Sequence, residues 1–232
     1  MEELLKVKAN VESALFEIAE AACSAGRKPE DVTIMAVTKT HPVEYITKAV
    51  ECGIRHIGEN RISEGGRKIR QLGNEYAVFH AIGVLHRKEV RQAVRDFHCL
   101  DAIHKIEIIE EIARRKADPR ILLEVNTSGE SAKMGFQPDV DLLESVLGRA
   151  LELKLSVRGF LTVGPLGNDP TEQRRAFANL REIRDSLETR LNVVLPELSM
   201  GMSDDFSLAV LEGSTMVRLG RRLFGSRNFL PY

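Results

Sequence analysis

DVTIMAVTKTHP, residues 31–42, is the stretch whose reading decides the fold. Its first part, Val32, Thr33, Ile34, Met35, Ala36, Val37 and Thr38, is mostly apolar and rich in β-branched side chains. Such a run suits a strand buried on both faces, as in a parallel sheet. It ends on Lys39, and Pro42 then opens an amphipathic helix. Folds of alternating strands and helices gather their chemistry at strand C-terminal ends, which is where Lys39 stands. In an apolar wall an ammonium loses hydration and its pKa falls well below the ordinary lysine value. A lysine deprotonated near neutral pH is a nucleophile for an aldehyde. Taken alone, the stretch also reads as a surface lysine just past a strand end.

The pattern of apolar strand followed by helix recurs outward from this stretch. Before it, Leu4, Leu5, Val11, Leu15, Ile18, Ala19 and Ala22 recur at helical spacing up to Gly26, which predicts a leading amphipathic helix. After it, the spacing predicts helices over 43–52, 62–72, 87–95, 105–116 and 138–151. Strands are expected between them over 54–58, 76–82, 98–100 and 120–126. A sixth strand over 156–163 leads to Asp169, read as an N-cap with Pro170 at the first helical position and Glu172 completing a capping box. Strands over 197–200 and 214–219 follow, with Ser203 expected to cap a helix ending at Gly213 and a last turn running through Leu223. Eight strands, each followed by a helical segment and with no linker between them, read as one (β/α)8 barrel domain over residues 1–232. An open doubly wound sheet is the competing architecture; eight units joined by short loops favour the barrel.

Composition narrows the function. The 232 residues are 43% hydrophobic and 29% charged, with a net charge of −1 and a pI near 6.6. That balance argues against nucleic acid or an acidic membrane surface as a partner. No apolar run approaches the ~20 residues of a membrane span. The N-terminal MEELLKVKANVE lacks the apolar centre of a signal peptide, so a cytoplasmic location is expected. Cys23, Cys52 and Cys99 are odd in number and far apart, and are expected to be reduced thiols packed as small apolar residues. HExxH, GxSxG and the GxxxxGK phosphate loop are all absent, and no metal site is expected. His80 is read as a satisfied barrel residue rather than a ligand.

In a barrel, the strand C-terminal ends converge on one mouth. Those ends are Lys39, Asn60, the loop from Gly83, Asp101, Asn126, the loop around Pro165, the segment 199–203, and Arg218 with Gly220. Barrels frequently hold phosphate after strands seven and eight. There, SMGMSDD places Gly201 and Ser203 at a helix N-terminus, whose free amides attract an anion. VRLGRR places Gly220 where a backbone can approach a ligand closely. The plainer readings are an N-cap and a turn. Asp204 and Asp205 follow directly, so a bound phosphate would have to sit on the amides, away from both carboxylates.

VTKTHP, GIRHIGEN, FHAIG, FHCLD, LLEVNTSGESAKMGF, VRGFLTVGP, LSMGMSDDF and GSTMVRLGRRLFG, in that order along nearly the whole chain, resemble the pyridoxal-phosphate homeostasis protein family. That family is similar to the barrel domain of alanine racemase (fold type III), here with an extra N-terminal helix. The resemblance implies a single (β/α)8 barrel holding pyridoxal 5′-phosphate as a Schiff base. It assigns the Schiff-base lysine to Lys39, the asparagine near the cofactor to Asn60, and the phosphate cup to Ser203 with the backbone of Gly220 and Arg221. Arg218 resembles the arginine facing the pyridine nitrogen. A guanidinium only donates, so that nitrogen stays unprotonated and carbanion chemistry is weakly supported.

The implied role is binding and delivery of the cofactor inside the cell, with recipient apo-enzymes or amino acids as partners and a monomer or weak dimer as the assembly. The alternative is an amino-acid racemase or related isomerase. Alanine racemase needs an opposing tyrosine from a second domain, and Tyr45, Tyr76 and Tyr232 here sit at a helix start, a strand start and the terminus. The chain also departs from the family pattern. Where members usually read IGPLQSNK this chain reads IGVLHRKE, with Val84, His86, Arg87, Lys88 and Glu89; Arg61 replaces an aromatic, and Arg221 replaces a hydroxyl. The expectation is a more basic mouth, in which Arg221 either strengthens phosphate binding or points outward.

Overall fold

Period-two alternation along buried strands separates two environments, one facing the surrounding helices and one facing the barrel axis. The computed structural model describes residues 2–167 and 169–225. Its strands are β1 (Thr33–Val37), β2 (His56–Glu59), β3 (Val78–Ala81), β4 (Cys99–Ile103), β5 (Arg120–Glu124), β6 (Ser156–Leu161), β7 (Glu197–Met202) and β8 (Met216–Leu219). Each pairs in parallel with the next, and β8 pairs with β1, so the sheet is a closed barrel in chain order. The helices are α1 (Glu2–Ser24), α2 (Val43–Glu51), α3 (Ile62–Leu72), α4 (Val90–Asp96), α5 (Ile106–Arg114), α6 (Val140–Glu152), α7 (Pro170–Leu191), α8 (Phe206–Leu211) and α9 (Arg221–Phe224).

Ile34, Ala36, Ile57, Phe79, Leu100, Ile121, Leu123, Leu198, Val217 and Leu219 belong to one buried apolar cluster with the helices. The residues that alternate with them carry most of the polarity. Met35 is in register with His56 of β2 and Arg218 of β8, and His80 of β3 is in register with Cys99 of β4. α1 lies against α8 and α9, burying Val7, Val11, Ala14, Ile18 and Ala22. Leu5 and Leu15, which share the apolar spacing, face solvent instead. Asn10 Nδ2 of α1 donates to Leu223 O at 2.9 Å. At α7 the expected cap is present: Asp169 accepts from Thr171 N at 2.8 Å. Among the described residues no helix is long and apolar enough to cross a membrane.

Several boundaries differ from expectation for local reasons. The helix expected over 87–95 is a 3-10 turn, Arg87–Glu89, followed by α4. The start of the expected strand 76–82 belongs to the 3-10 turn Asn74–Tyr76. β4 runs on to Ile103, past Asp101, which is therefore not at the mouth; it is 1% exposed inside the barrel. Ser203 does not cap the helix after β7. α8 starts three residues later, behind Asp205, because β7 continues to Met202. Of the cysteines, Cys99 is buried and Cys52 half-buried, but Cys23 is exposed.

The barrel interior holds a hydrogen-bonded chain of two histidines and a carboxylate. His80 Nδ1 meets Asp101 Oδ2 at 2.7 Å, and His80 Nε2 meets His56 Nδ1 at 2.9 Å. Burial lowers the His80 pKa, but Asp101 outweighs it by charge and hydrogen bond, leaving His80 pushed up to about 10. Burial, then the charge of His80, lowers His56 to about 4. His80 therefore donates from both nitrogens, and neutral His56 accepts. With the folded pKa of His80 raised, its contribution to stability is complete below the unfolded value of 6.5 and is lost as pH climbs towards about 10. Imidazole NMR is expected to show His80 as imidazolium at about pH 8 and His56 neutral at about pH 6. A neutral His80 at about pH 7 would contradict this assignment.

Candidate functional site

The turn that carries Lys39 is held from below by one lysine. Lys68, on α3, is 7% exposed and donates from Nζ to Thr38 O at 2.8 Å, to Glu59 Oε1 at 2.7 Å and to Glu64 Oε1 at 2.8 Å. Thr38 Oγ1 donates to the same Glu59 oxygen at 2.6 Å, and Thr40 N donates to Glu64 at 2.6 Å. The residues on both sides of Lys39 are thus tied to one buried cluster. That restraint matters because Thr40 is a β-branched residue at φ 66°, a left-handed conformation that persists only when its surroundings impose it. Burial raises the Glu59 pKa and Lys68 opposes the rise by charge and hydrogen bond. Lys39 itself is half-buried at the strand end.

Beside Lys39 opens a cavity of about 340 Å³. Its wall includes Lys39, Asn60, Ser203, Arg218, Gly220 and Arg221, so the six residues singled out from sequence meet at one place. Val37, Ile82, Leu161, Val163 and Met202 supply apolar surface, and Glu124 and Asp204 complete the lining. Among the described residues the lining holds no tyrosine, histidine or cysteine. A larger cavity of about 440 Å³ lies at the other end of the barrel beside Thr33, His56, Arg120 and Thr215. Those residues are at the N-terminal ends of strands, the end that serves stability in this architecture.

Each site residue is placed by a specific contact. Asn60 follows β2, and the loop after β3 packs directly on it: a Cβ at Gly83 would stand 2.1 Å from Asn60 O, so only glycine fits. Arg218 is buried and donates from Nη1 to Ser199 O at 2.6 Å and Ser199 Oγ at 2.9 Å, and from Nη2 to Thr162 O at 2.7 Å. Burial lowers its pKa, while Asp205, Asp101 and Glu124 act in the opposite direction. Ser203 Oγ accepts from Arg222 N at 3.2 Å, which joins the turn after β7 to the start of α9. Asp205 turns away from the mouth and accepts from Met202 N at 2.5 Å. At Gly220 a Cβ would meet only Val37, at 3.5 Å or more, so the protein itself does not forbid a side chain there.

The basic mouth is not formed as expected. Of Arg61, His86, Arg87, Lys88 and Arg221, only Arg221 lines the cavity. Its guanidinium is turned outward to an ion pair with Asp204, both side chains mostly exposed. Arg87 reaches α5 and pairs with Glu111 at 3.3 Å. Tyr45 packs on His41 and Phe224, Tyr76 lies in its 3-10 turn, and Tyr232 falls outside the described residues. Sequence reasoning passed over Glu124 and Lys68. The first sits in the apolar run RILLEVN and the second in a helix rich in charge; the signal available was a lone charge at a position whose neighbours are buried.

The unsatisfied groups in this cavity suit a polar ligand. Asn60 Oδ1 and Glu124 Oε2 are buried side-chain atoms with no hydrogen-bond partner among the described residues. Burial without a partner is costly, so such atoms are expected to be satisfied by what occupies the cavity.

Comparison with known proteins places this geometry. The family model of the alanine racemase N-terminal domain matches residues 18–228. The chain is 35% identical over 223 residues to the pyridoxal phosphate homeostasis protein of Aquifex aeolicus, covering 94% of this chain and 97% of that one. It is 33% identical over 232 residues to the protein of the same name from Escherichia coli K12, covering 95% and 96%. Among solved structures, PipY of Synechococcus elongatus with pyridoxal phosphate bound superposes with a TM-score of 0.76 at 32% identity, over 90% of this chain and all of that one. The alanine racemase of Bacillus anthracis shares the fold, at a TM-score of 0.68 and 17% identity, over 93% of this chain and 57% of that one. By these matches the chain belongs to the pyridoxal phosphate homeostasis protein family, within the wider alanine racemase N-terminal domain family.

Proposed function

We propose that this chain binds pyridoxal 5′-phosphate covalently through Lys39 and holds it for delivery to recipient apo-enzymes in the cytoplasm, its 232 residues acting as one unit. The observation that carries the reading is the meeting of Lys39, Asn60, Ser203, Arg218, Gly220 and Arg221 in a single cavity at the barrel mouth. When bound, the cofactor supplies an aldehyde for a lysine and a ring able to stabilise negative charge. The rest is done by the protein. The Lys68 cluster fixes the backbone on both sides of Lys39. Ser203 and the turn into α9 lie on the Gly220 side, where a phosphate can sit on backbone amides without meeting Asp205, which is committed to Met202 N. Arg218 can only donate, so any ligand atom it meets is held as an acceptor.

The holding role is favoured over turnover by the lining. Among the described residues no tyrosine, histidine or cysteine stands in the cavity to exchange a proton with a bound amino acid. One observation keeps the racemase or isomerase reading in play, namely the buried Glu124 carboxyl in the same cavity.

Adding pyridoxal phosphate to the native protein is expected to give a visible absorbance band that borohydride abolishes and Lys39→Ala lacks. A band of equal size in Lys39→Ala would remove Lys39 from the role. With single L-amino acids in deuterated water, exchange at the α-carbon is expected to be far slower than the ~1–10³ s⁻¹ of ordinary enzymes. Exchange within that range would establish an enzyme and sink the carrier reading. Lys68→Met leaves Glu59 buried without its partner and is expected to destabilise the fold by about 3–5 kcal/mol in denaturant titration. Cofactor affinity is expected to fall with it, and unaltered affinity would show that the cluster does not position Lys39.

A further inference from the structure

Glu124 is the last residue of β5 and is 9% exposed. It lines the same cavity as Lys39, yet its Oε2 has no hydrogen-bond partner among the described residues. A buried carboxylate without a hydrogen-bond partner is costly to keep ionised; a carboxyl that keeps its proton is less so. Arg218 opposes that cost by its charge, but it directs Nη1 and Nη2 to Ser199 and Thr162 rather than to Glu124. Arg221, also in the lining, pairs with Asp204 at the rim.

We propose that Glu124 is the proton-bearing group of this cavity, donating its carboxyl hydrogen to an acceptor atom of the bound, anionic cofactor. The inference rests on the binding role proposed above and adds a proton linkage to it. An ionised Glu124 would put negative charge against an incoming phosphate ester, whereas the protonated form offers a donor. It also gives Oε2, which has no hydrogen-bond partner among the described residues, a function on loading.

The electrostatic surroundings agree. Burial raises the Glu124 pKa and Arg218 lowers it, with a net rise. From β4, Asp101 acts on Arg218 and is bonded to His80; from the loop after β7, Asp205 also acts on Arg218. β6 and the residues just after it give the cavity apolar Leu161 and Val163. On the loop after β5, Lys133 is held by Glu130 at 2.9 Å and by Gly164 O at 2.5 Å.

The sign follows from linkage. An anion binds the protonated form better, so binding takes up a proton and affinity falls as pH rises through the Glu124 titration. The probe is pyridoxine 5′-phosphate, whose alcohol cannot link to lysine, so the pH dependence of that covalent step is absent. Calorimetry of native protein and Glu124→Gln, in two buffers of different ionisation heat, counts the protons taken up; the Gln variant keeps the size of the side chain and subtracts the ligand's own phosphate titration. Native affinity is expected to drop relative to Glu124→Gln by up to about tenfold per pH unit, the limit for one linked proton. Native protein is also expected to take up more protons than the variant. Binding with the same pH profile and proton count in both proteins would overturn this inference alone. No binding of pyridoxine 5′-phosphate by the native protein would also overturn this inference, whereas the cofactor reading falls only if pyridoxal phosphate gives no visible band.

Discussion

The fold's chemistry depends on a buried lysine that is not the one expected to react. Lys68 satisfies three acceptors at once, one of them the carbonyl of Thr38 immediately before Lys39. Without those acceptors its burial would be prohibitive, and without Lys68 the carboxylate of Glu59, 0% exposed, would face the same problem. Each therefore compels the other, and the residues they share are those that flank Lys39. The left-handed Thr40 is the visible result: a conformation that its side chain disfavours, imposed by the Glu64 carboxylate on its amide. A reactive side chain presented from such a turn begins in a defined place rather than searching for it, which lowers the entropic cost of engaging a ligand.

The same logic extends through the barrel. The cluster facing the helices is almost wholly aliphatic and aromatic and supplies the cohesion of the fold. The axis, by contrast, is spent on His80, Asp101, Glu124, Ser199 and Arg218, which in an apolar core would be replaced by well-packed hydrocarbon. Such a division is tolerable only because nearly every inner polar group has a partner. His80 has Asp101 and His56, and Arg218 has Ser199 and Thr162. Among the described residues Glu59 Oε2, Arg158 Nε, Asn60 Oδ1 and Glu124 Oε2 are buried without a hydrogen-bond partner, and of these Asn60 and Glu124 line the mouth cavity, where a ligand can supply them.

How much of this was legible in the sequence depends on range. Strands announce themselves through contiguous apolar runs, and the order of eight of them was enough for the barrel and for the position of Lys39 at a strand end. What failed was local accounting that ignores tertiary competition. Ser203 has the chemistry of an N-cap, but β7 extends past its expected end and the serine hydroxyl accepts from α9 instead. Asp101 looks like a strand terminus because aspartate breaks strands; here His80 on the neighbouring strand satisfies it and the strand continues. Lys68 was invisible for a related reason: a charge reads as solvent-facing unless its partners are known, and Thr38 and Glu59 lie outside its helix. Arg61, His86 and Lys88 show the opposite error, since basic residues grouped by sequence need not line one wall in space.

The rim shows how little an exposed contact constrains the site. Arg221 and Asp204 pair across the entrance with side chains 62% and 67% exposed. An ion pair in that setting contributes about 0–1 kcal/mol, because water already solvates both charges. Rearranging it to admit an anion therefore takes little free energy, and the guanidinium released would itself be attractive to a phosphate. The buried pairs cannot behave in this way. Breaking Lys68 from Glu59, or Asp101 from His80, would strand a charge where water does not reach. The cavity thus combines a rigid floor, which fixes Lys39 and Arg218, with a pliable lip formed by the turn after β7 and the start of α9. A site that must take up its ligand and also release it intact needs both properties, and the burial of the charges, more than their number, decides which part has which.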